Sequence, residues 1–285
     1  MQSQMRDDLK GFSRAMYSNW LWHRPLQLLI DAGEGASLAL GTNVFSPSVL
    51  AITHGHSDHV LGLPGLVAAR RFGKGATDKP LTIVFPEGSK GVQAVRELLG
   101  TAYAGVVFPL TWIGVQPGAA VPLGKDRVLE AMAVRHTPSE AALGYRVLEK
   151  RKRLKPEFAS LPQSEIEAAA RGGRRDAMLE ELQHILFVHS GDAMPIDPAL
   201  AMNADLLVHD ATFLNEPDRR EPIHATTEEA LDVAKRAGVK ALLLYHLSIR
   251  YDRLTAIPAL RAQVASSGFS GDCWLLDEGD WVPLR

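Results

Sequence analysis

An apolar run at residues 49–53 ends directly on His54-Gly55-His56-Ser57-Asp58-His59. Three histidines and a carboxylate within these six residues combine nitrogen and oxygen donors, the set that zinc-type ions take. A lone His on an apolar face is normally a packed core residue. Four metal-capable groups in alternating register, where a strand meets a glycine-containing loop, point instead to a metal site. A fold that uses this loop must bring further ligands to it, and the chain carries them at the ends of other apolar runs. Residues 128–135 lead to His136, residues 185–188 to Ser190-Gly191-Asp192, and residues 241–245 to His246. Strand ends that emerge into loops are where α/β folds collect catalytic groups. Together His54, His56, Asp58, His59, His136, Asp192 and His246 suffice for two ions sharing one carboxylate.

This ordered set, H-x-H-x-D-H followed by His, Asp and His, resembles the metallo-β-lactamase superfamily. Four stretches are similar to its ribonuclease Z branch, the tRNA 3′-processing endonucleases. They are Leu29-Ile30-Asp31-Ala32-Gly33-Glu34-Gly35, His59-Val60-Leu61-Gly62-Leu63-Pro64-Gly65-Leu66, His136 with Gly144-Tyr145-Arg146, and Ser190-Gly191-Asp192. Leu207-Val208-His209-Asp210-Ala211-Thr212-Phe213 resembles that branch's H-E-A-T segment, and His224-Ala225-Thr226 its H-S-T segment. The likeness extends from about Leu28 to Tyr251.

The resemblance implies an αββα sandwich, two mixed β-sheets flanked by helices. It implies two Zn²⁺ per subunit, with Mn²⁺ or Fe²⁺ tolerated by the same donors. His54, His56 and His136 would hold one ion, Asp58, His59 and His246 the other, with Asp192 bridging. Such a pair, about 3.5–4 Å apart, stabilises the charge of an in-line displacement at phosphorus. Asp58 would orient the attacking water and take its proton. His224, steered by Asp210, would protonate the departing alkoxide, and Asp31 would orient a ligand histidine. A homodimer is a further expectation from the family.

Three departures bear on the substrate. Gly11-Phe12-Ser13 and Ser18-Asn19-Trp20 replace the family's Gly-Thr-rich N-terminal turn, Asp210 replaces Glu, and the segment between His136 and Asp192 lacks the usual Gly-Pro signature. Precursor tRNA is the first expectation, a small phosphodiester such as a cyclic nucleotide, or another ester, the second. A non-catalytic metal sensor is the third, disfavoured because no ligand is missing and the His224–Asp210 pair is retained.

At 285 residues and 46% hydrophobic, the chain can bury a large core, and one hydrolase domain over 1–285 is expected. A net charge of −2 leaves no global nucleic-acid footprint. No run is long enough to span a bilayer, and Arg6, Asp7, Asp8 and Lys10 interrupt any secretion signal. Cys273, the single cysteine, suits a reducing cytoplasm and reads as a small buried hydrophobe.

Apolar runs with abrupt ends predict strands at 26–31, 49–53, 81–85, 128–135, 143–148, 185–188, 206–209 and 240–246. Helical patterns cover 61–72, 89–99, 227–237 and 254–264. Thr226 and Glu229 form a capping box, Gly238 a stop signal, and 274–276 with 281–282 a closing hairpin. His23, His184 and His189 read as structural. Residues 149–183 form a charged, arm-like excursion, with Lys150, Arg151, Lys152, Arg153 and Lys155, then Arg171, Arg174 and Arg175, against Glu157, Glu165, Glu167, Glu180 and Glu181. It reads equally as an RNA-gripping element, Lys150–Arg153 being substrate-binding candidates, or as a solvated face. Arg250 is a candidate for phosphate contact or for loop anchoring.

Overall fold

Strands buried on both faces must be apolar throughout, and here the faces separate cleanly. Leu28 and Ile30 enter a core shared by two sheets, whereas Leu29 between them packs outward under helices. Ala241, Leu243 and Tyr245 likewise face inward, Leu242 and Leu244 outward. The structure, a computed structural model, describes residues 7–73, 79–102 and 108–285, apart from the side chains of 159, 170 and 174.

Among the described residues one sheet runs in the order β1 (Leu9–Arg14), β2 (Ser18–His23), β3 (Leu28–Ile30), β4 (Val49–Ala51), β5 (Leu81–Pro86), β6 (Leu110–Val115). The other comprises β7 (Ala120–Pro122), β8 (Arg127–Ala133), β9 (Leu143–Leu154), β10 (Leu179–His189), β11 (Leu206–Asp210), β12 (Ala241–Tyr245), β13 (Asp272–Asp277) and β14 (Asp280–Pro283), in that order from edge to edge. Both are mixed: β3 to β6 and β10 to β13 run parallel, and the flanking pairs are antiparallel.

A short helix, α1 (Ser57–Val60), follows the histidine-rich loop. Then α2 (Leu63–Phe72) and α3 (Lys90–Ala102) cover the first sheet through Leu63, Leu66, Val67, Val92 and Val95. On the second sheet lie α4 (Thr227–Ala237) and α5 (Arg253–Ser267), burying Leu231, Ala234, Leu260 and Val264. Cys273 is buried in that layer. This is the αββα sandwich expected. No helix among the described residues is long and apolar enough to cross a membrane.

Each expected strand and helix is present, with shifted ends. The helix expected from 61 begins at Leu63, because the Gly62 amide instead donates to the Ala32 carbonyl. Thr226 and Glu229 close the capping box, and Gly238 ends α4 at φ 62°. The C-terminal hairpin turns at Glu278 and Gly279, both with positive φ. The sequence reading omitted β1, β2, β6 and β7. It also underestimated order in 149–183, where β9 and β10 continue as a paired ribbon from Tyr145 opposite His189 to Leu154 opposite Leu179. Pro156–Ala159, Gln163–Ala169 and Arg175–Met178 are helical at its tip.

Arg70 on α2 is a buried clamp. Its guanidinium donates to the carbonyls of Val44, Pro47, Lys79 and Pro80 at 2.7–3.2 Å and lies over the Phe108 ring. Burial lowers its pKa to about 10. Arg70→Met leaves those carbonyls without their donor, so a destabilisation of about 3 kcal/mol is expected, read as a lowered urea midpoint. An unchanged midpoint would show that water replaces the guanidinium at no cost.

Candidate metal centre

The carboxyl ends of β3, β4, β8, β10, β11 and β12 open toward one edge of the sandwich, where Leu143 N–H donates to the Thr53 carbonyl across the two sheets. Asp31 follows β3, His54 follows β4, His136 follows β8, Asp192 follows β10, Asp210 ends β11 and His246 follows β12. Two of these chain exits use left-handed backbone at a non-glycine residue, Asp31 at φ 55° and His246 at φ 66°. Asp and His tolerate that region better than most side chains. Gly191, at φ 62°, is required: a Cβ there would lie 2.7 Å from the Leu143 carbonyl oxygen.

Buried hydrogen bonds fix which ring nitrogen of each histidine faces inward. Asp31 accepts from Thr53 N, from Thr53 Oγ1 at 2.8 Å and from His59 Nδ1 at 2.8 Å. Thr53 Oγ1 spends its only proton on that carboxylate, so at 3.0 Å it accepts from His54 Nδ1. The same logic holds opposite. Thr212 Oγ1 donates to Asp210 Oδ1 at 2.7 Å and therefore accepts from His246 Nδ1 at 2.8 Å. His136 Nδ1 donates to the Ile223 carbonyl, 2.9 Å away. The Nε2 atoms of His54, His59, His136 and His246 are thereby left to face one another. His56 contributes Nδ1, 3.5 Å from His136 Nε2.

The inward atoms form overlapping sets whose members lie within 4.8 Å of one another: His54, His56 and His136; Asp58, His59 and His246; and His54, His59 and Asp192. Asp192 Oδ2 sits between the first two, 3.7 Å from His54 Nε2, 3.3 Å from His59 Nε2 and 3.0 Å from His246 Nε2. Its other oxygen accepts from Tyr245 Oη at 3.1 Å. His54 Nε2 is buried with no hydrogen-bond partner. A buried lone pair aimed at a cluster of others is satisfied by a cation, so the donor set fits a metal.

Electrostatics divides the cluster. Burial holds His54 well below the usual imidazole range and also lowers His56 and His136, which are neutral donors. Burial opposes charge on His59 and His246 too, yet Asp192 beside both raises them, aided by Asp31 at His59 and Asp58 at His246. His246 reaches about 10. A cation feels the same carboxylate field, so metal uptake displaces protons there.

His224 and Asp210 complete the arrangement. His224 Nδ1 lies 2.7 Å from Asp210 Oδ2, and the ring stacks on His246 with centroids 5.0 Å apart. The carboxylate also accepts from Ala193 N and from Thr212 N and Oγ1. Burial pushes the Asp210 carboxyl up, but His224 beside it holds it below its ordinary value. The His224 side chain remains 14% exposed.

Other sequence candidates lie elsewhere. Lys150, Arg151, Lys152 and Arg153 stand seven to ten residues along β9 from Leu143, which at ~3.3 Å per residue puts them more than 20 Å from the cluster. Arg151 pairs with Glu149 and Asp205, Lys152 with Asp176, and Arg153 with Glu180. They do not reach the centre. The Arg174 side chain lies outside the described ones. Arg250 donates to the Asp218 carbonyl and covers the Phe213 ring at 4.9 Å, a loop anchor. His184 pairs with Asp205, and buried His189, lowered to about 3 by burial, accepts from Gly191 N. His23 packs edge-on against Phe187. Sequence reasoning missed Thr53, Thr212, Tyr245, Ser13 and Asn19. Thr53 and Tyr245 lie inside the predicted runs, and only their position beside a ligand histidine could have signalled them.

Known proteins share this layout. The family profile of the metallo-beta-lactamase superfamily matches residues 26–148. A ribonuclease Z of Halobacterium salinarum is 35% identical over 274 residues, covering 88% of this chain and 86% of that one. A ribonuclease Z of Methanosarcina mazei is 33% identical over 260 residues, covering 79% of each. Among solved structures, human tRNase Z, short form, superposes with a TM-score of 0.66 at 18% identity, covering 97% of this chain and 99% of that one. The metallo-beta-lactamase fold protein YhfI of Bacillus subtilis gives 0.67 at 18% identity, covering 96% and 98%. At that identity the two structures speak for the fold, and the sequence relatives for the family. The chain, a metal-dependent hydrolase by these relatives and by its histidine–carboxylate cluster, belongs to the ribonuclease Z family of the metallo-β-lactamase superfamily.

Proposed function

We propose that this chain is an endoribonuclease that trims the 3′ end of precursor tRNA with two zinc ions, manganese or iron(II) being accepted by the same donors. The observation that carries this reading is the junction of two triads, His54/His56/His136 and Asp58/His59/His246, across Asp192 Oδ2, with His224 beside them. The first triad would hold one ion and the second the other, with Asp192 within reach of both. Once bound, the ions supply Lewis acidity and bring the pKa of water to about 7.

The residues divide the remaining work. Asp58, held by Met16 N and Asn19 Nδ2 at 3.0 Å each, orients the attacking water and receives its proton. Asp31 keeps His59 in the tautomer that presents Nε2. Asp210 accepts from His224 Nδ1 and orients the ring, whose Nε2 delivers a proton to the departing ribose alkoxide. The cations of the β9–β10 ribbon contact the body of the tRNA away from the cut, from the partner subunit in a homodimer. The work belongs in the cytoplasm.

The test is cleavage of a 3′-extended precursor tRNA by zinc- or manganese-loaded protein, with Asp58→Ala as control. Cutting at the discriminator base by wild type, reduced at least about 10³-fold in the variant, is expected. If tRNA stays intact while a chromogenic phosphodiester is hydrolysed, the substrate is a small phosphodiester and the tRNA reading fails.

A further inference from the structure

The N-terminal hairpin, which carries Ser13 on β1 and Asn19 on β2, reaches the centre from outside both ligand sets. Asn19 Nδ2 donates to Asp58 Oδ2 at 3.0 Å and lies 3.3 Å from His59 Nε2. Its Oδ1 accepts from Ser13 Oγ at 2.8 Å, and Ser13 Oγ accepts from His246 N at 2.7 Å. Ser13 and Asn19 are 1% and 2% exposed, and they are paired opposite each other on β1 and β2. The amide orientation is set by this chain of bonds: the Ser13 hydroxyl takes the His246 N–H as acceptor, so its own proton must go to the amide oxygen. The Asn19 NH₂ therefore faces Asp58.

This relay touches one triad only. Asp58 and His246 enter from opposite sheets, Asp58 from α1 after β4 and His246 from the left-handed exit of β12. Among the hydrogen bonds described, none from Ser13 or Asn19 goes to His54, His56 or His136. Asp58 Oδ2, the oxygen 3.4 Å from His246 Nε2 and 3.6 Å from His59 Nε2, accepts from the Asn19 amide and from Met16 N, and the two donors together hold the carboxylate against rotation. A hydroxyl on the His246 amide fixes the backbone from which that ring projects.

We propose that Ser13 and Asn19 form a positioning relay that sets the affinity and geometry of the Asp58/His59/His246 subsite alone, making the two metal subsites separately tunable. The inference rests on the two-ion reading of the centre. Groups that orient metal ligands from behind change metal affinity by about 10- to 100-fold when removed.

The experiment is a zinc titration of the full chain by calorimetry, with metal content after dialysis, for wild type, Asn19→Ala, Ser13→Ala, Ser13→Thr and the double alanine variant. In Asn19→Ala and Ser13→Ala the second equivalent should weaken about 10- to 100-fold while the first is unchanged. Ser13→Thr, which keeps the hydroxyl, should bind as wild type does. The double variant should lose no more than about the larger single loss, because the residues act as one chain. If Asn19→Ala does not fold, Ser13→Ala against Ser13→Thr decides. Equal weakening of both equivalents, or a lowered Tm with both affinities kept, would overturn the relay and leave the two-ion centre standing. A wild type that binds a single ion would overturn the two-ion reading, and the relay with it.

Discussion

His224→Ala is expected to keep its metal and lose about 10²- to 10⁴-fold in kcat on precursor tRNA. The ring is held by a single side-chain bond, to Asp210 Oδ2, and otherwise stacks on His246 and meets His136 and Phe213 edge-on. Removing it should therefore leave Asp210 anchored by Ala193 N and Thr212. The signature of a general acid lies in the leaving group. A ribose alkoxide needs a proton, whereas a nitrophenolate departs without one. The loss should thus shrink several-fold or more on bis(p-nitrophenyl) phosphate, measured in parallel under the same metal load. An equal loss on both substrates would assign His224 to substrate binding or to the metal, and the acid role would fall.

Asp192→Asn should be the single change that weakens both triads together. One oxygen serves His54, His59 and His246 from between the triads, and the buried charge is the largest single attraction on the two raised imidazoles. Deleting one member of a buried charged cluster costs about 3–5 kcal/mol of folding stability, read as a lowered urea midpoint. Both equivalents of zinc should weaken, in contrast to the Asn19 and Ser13 variants. Proton release offers an independent reading. In wild type, His246 with its pKa near 10 and raised His59 carry protons at neutral pH, so zinc uptake in weak buffer should acidify the solution. Apparent affinity should accordingly rise with pH through the neutral range. In Asp192→Asn both rings lose the carboxylate that raises them, and less proton should appear per zinc bound. Unchanged release would mean that Asp192 does not govern these rings.

The candidate ligands were legible where each follows an apolar run, because a strand buried on both faces has no other way to look. His54, His136, Asp192 and His246 were found by that rule, and the resemblance added Asp31, Asp210 and His224. The hairpin β1–β2 was not legible: Lys10, Gly11 and Ser13 break apolar periodicity, and Ser18-Asn19 reads as a turn. Its polar residues are buried against partners far off in sequence, Ser13 against His246, Asn19 against Asp58 and Arg14 against Asp277. Residues 149–183 misled in the other direction. Their charge density suggested solvent exposure, and the cations are exposed, but cross-strand pairs such as Arg153 with Glu180 let a charged ribbon keep a regular ladder.

The left-handed exits at Asp31 and His246 sieve substitutions twice, once for chemistry and once for backbone. Asn meets the backbone demand at both places, being tolerant of positive φ, yet it is a poor stand-in for a carboxylate that must accept from three donors or for an imidazole lone pair. Asn is also one base change from either codon. The shortest mutational route from this enzyme to a folded relative that no longer turns over substrate is therefore a single nucleotide, available independently at two sites.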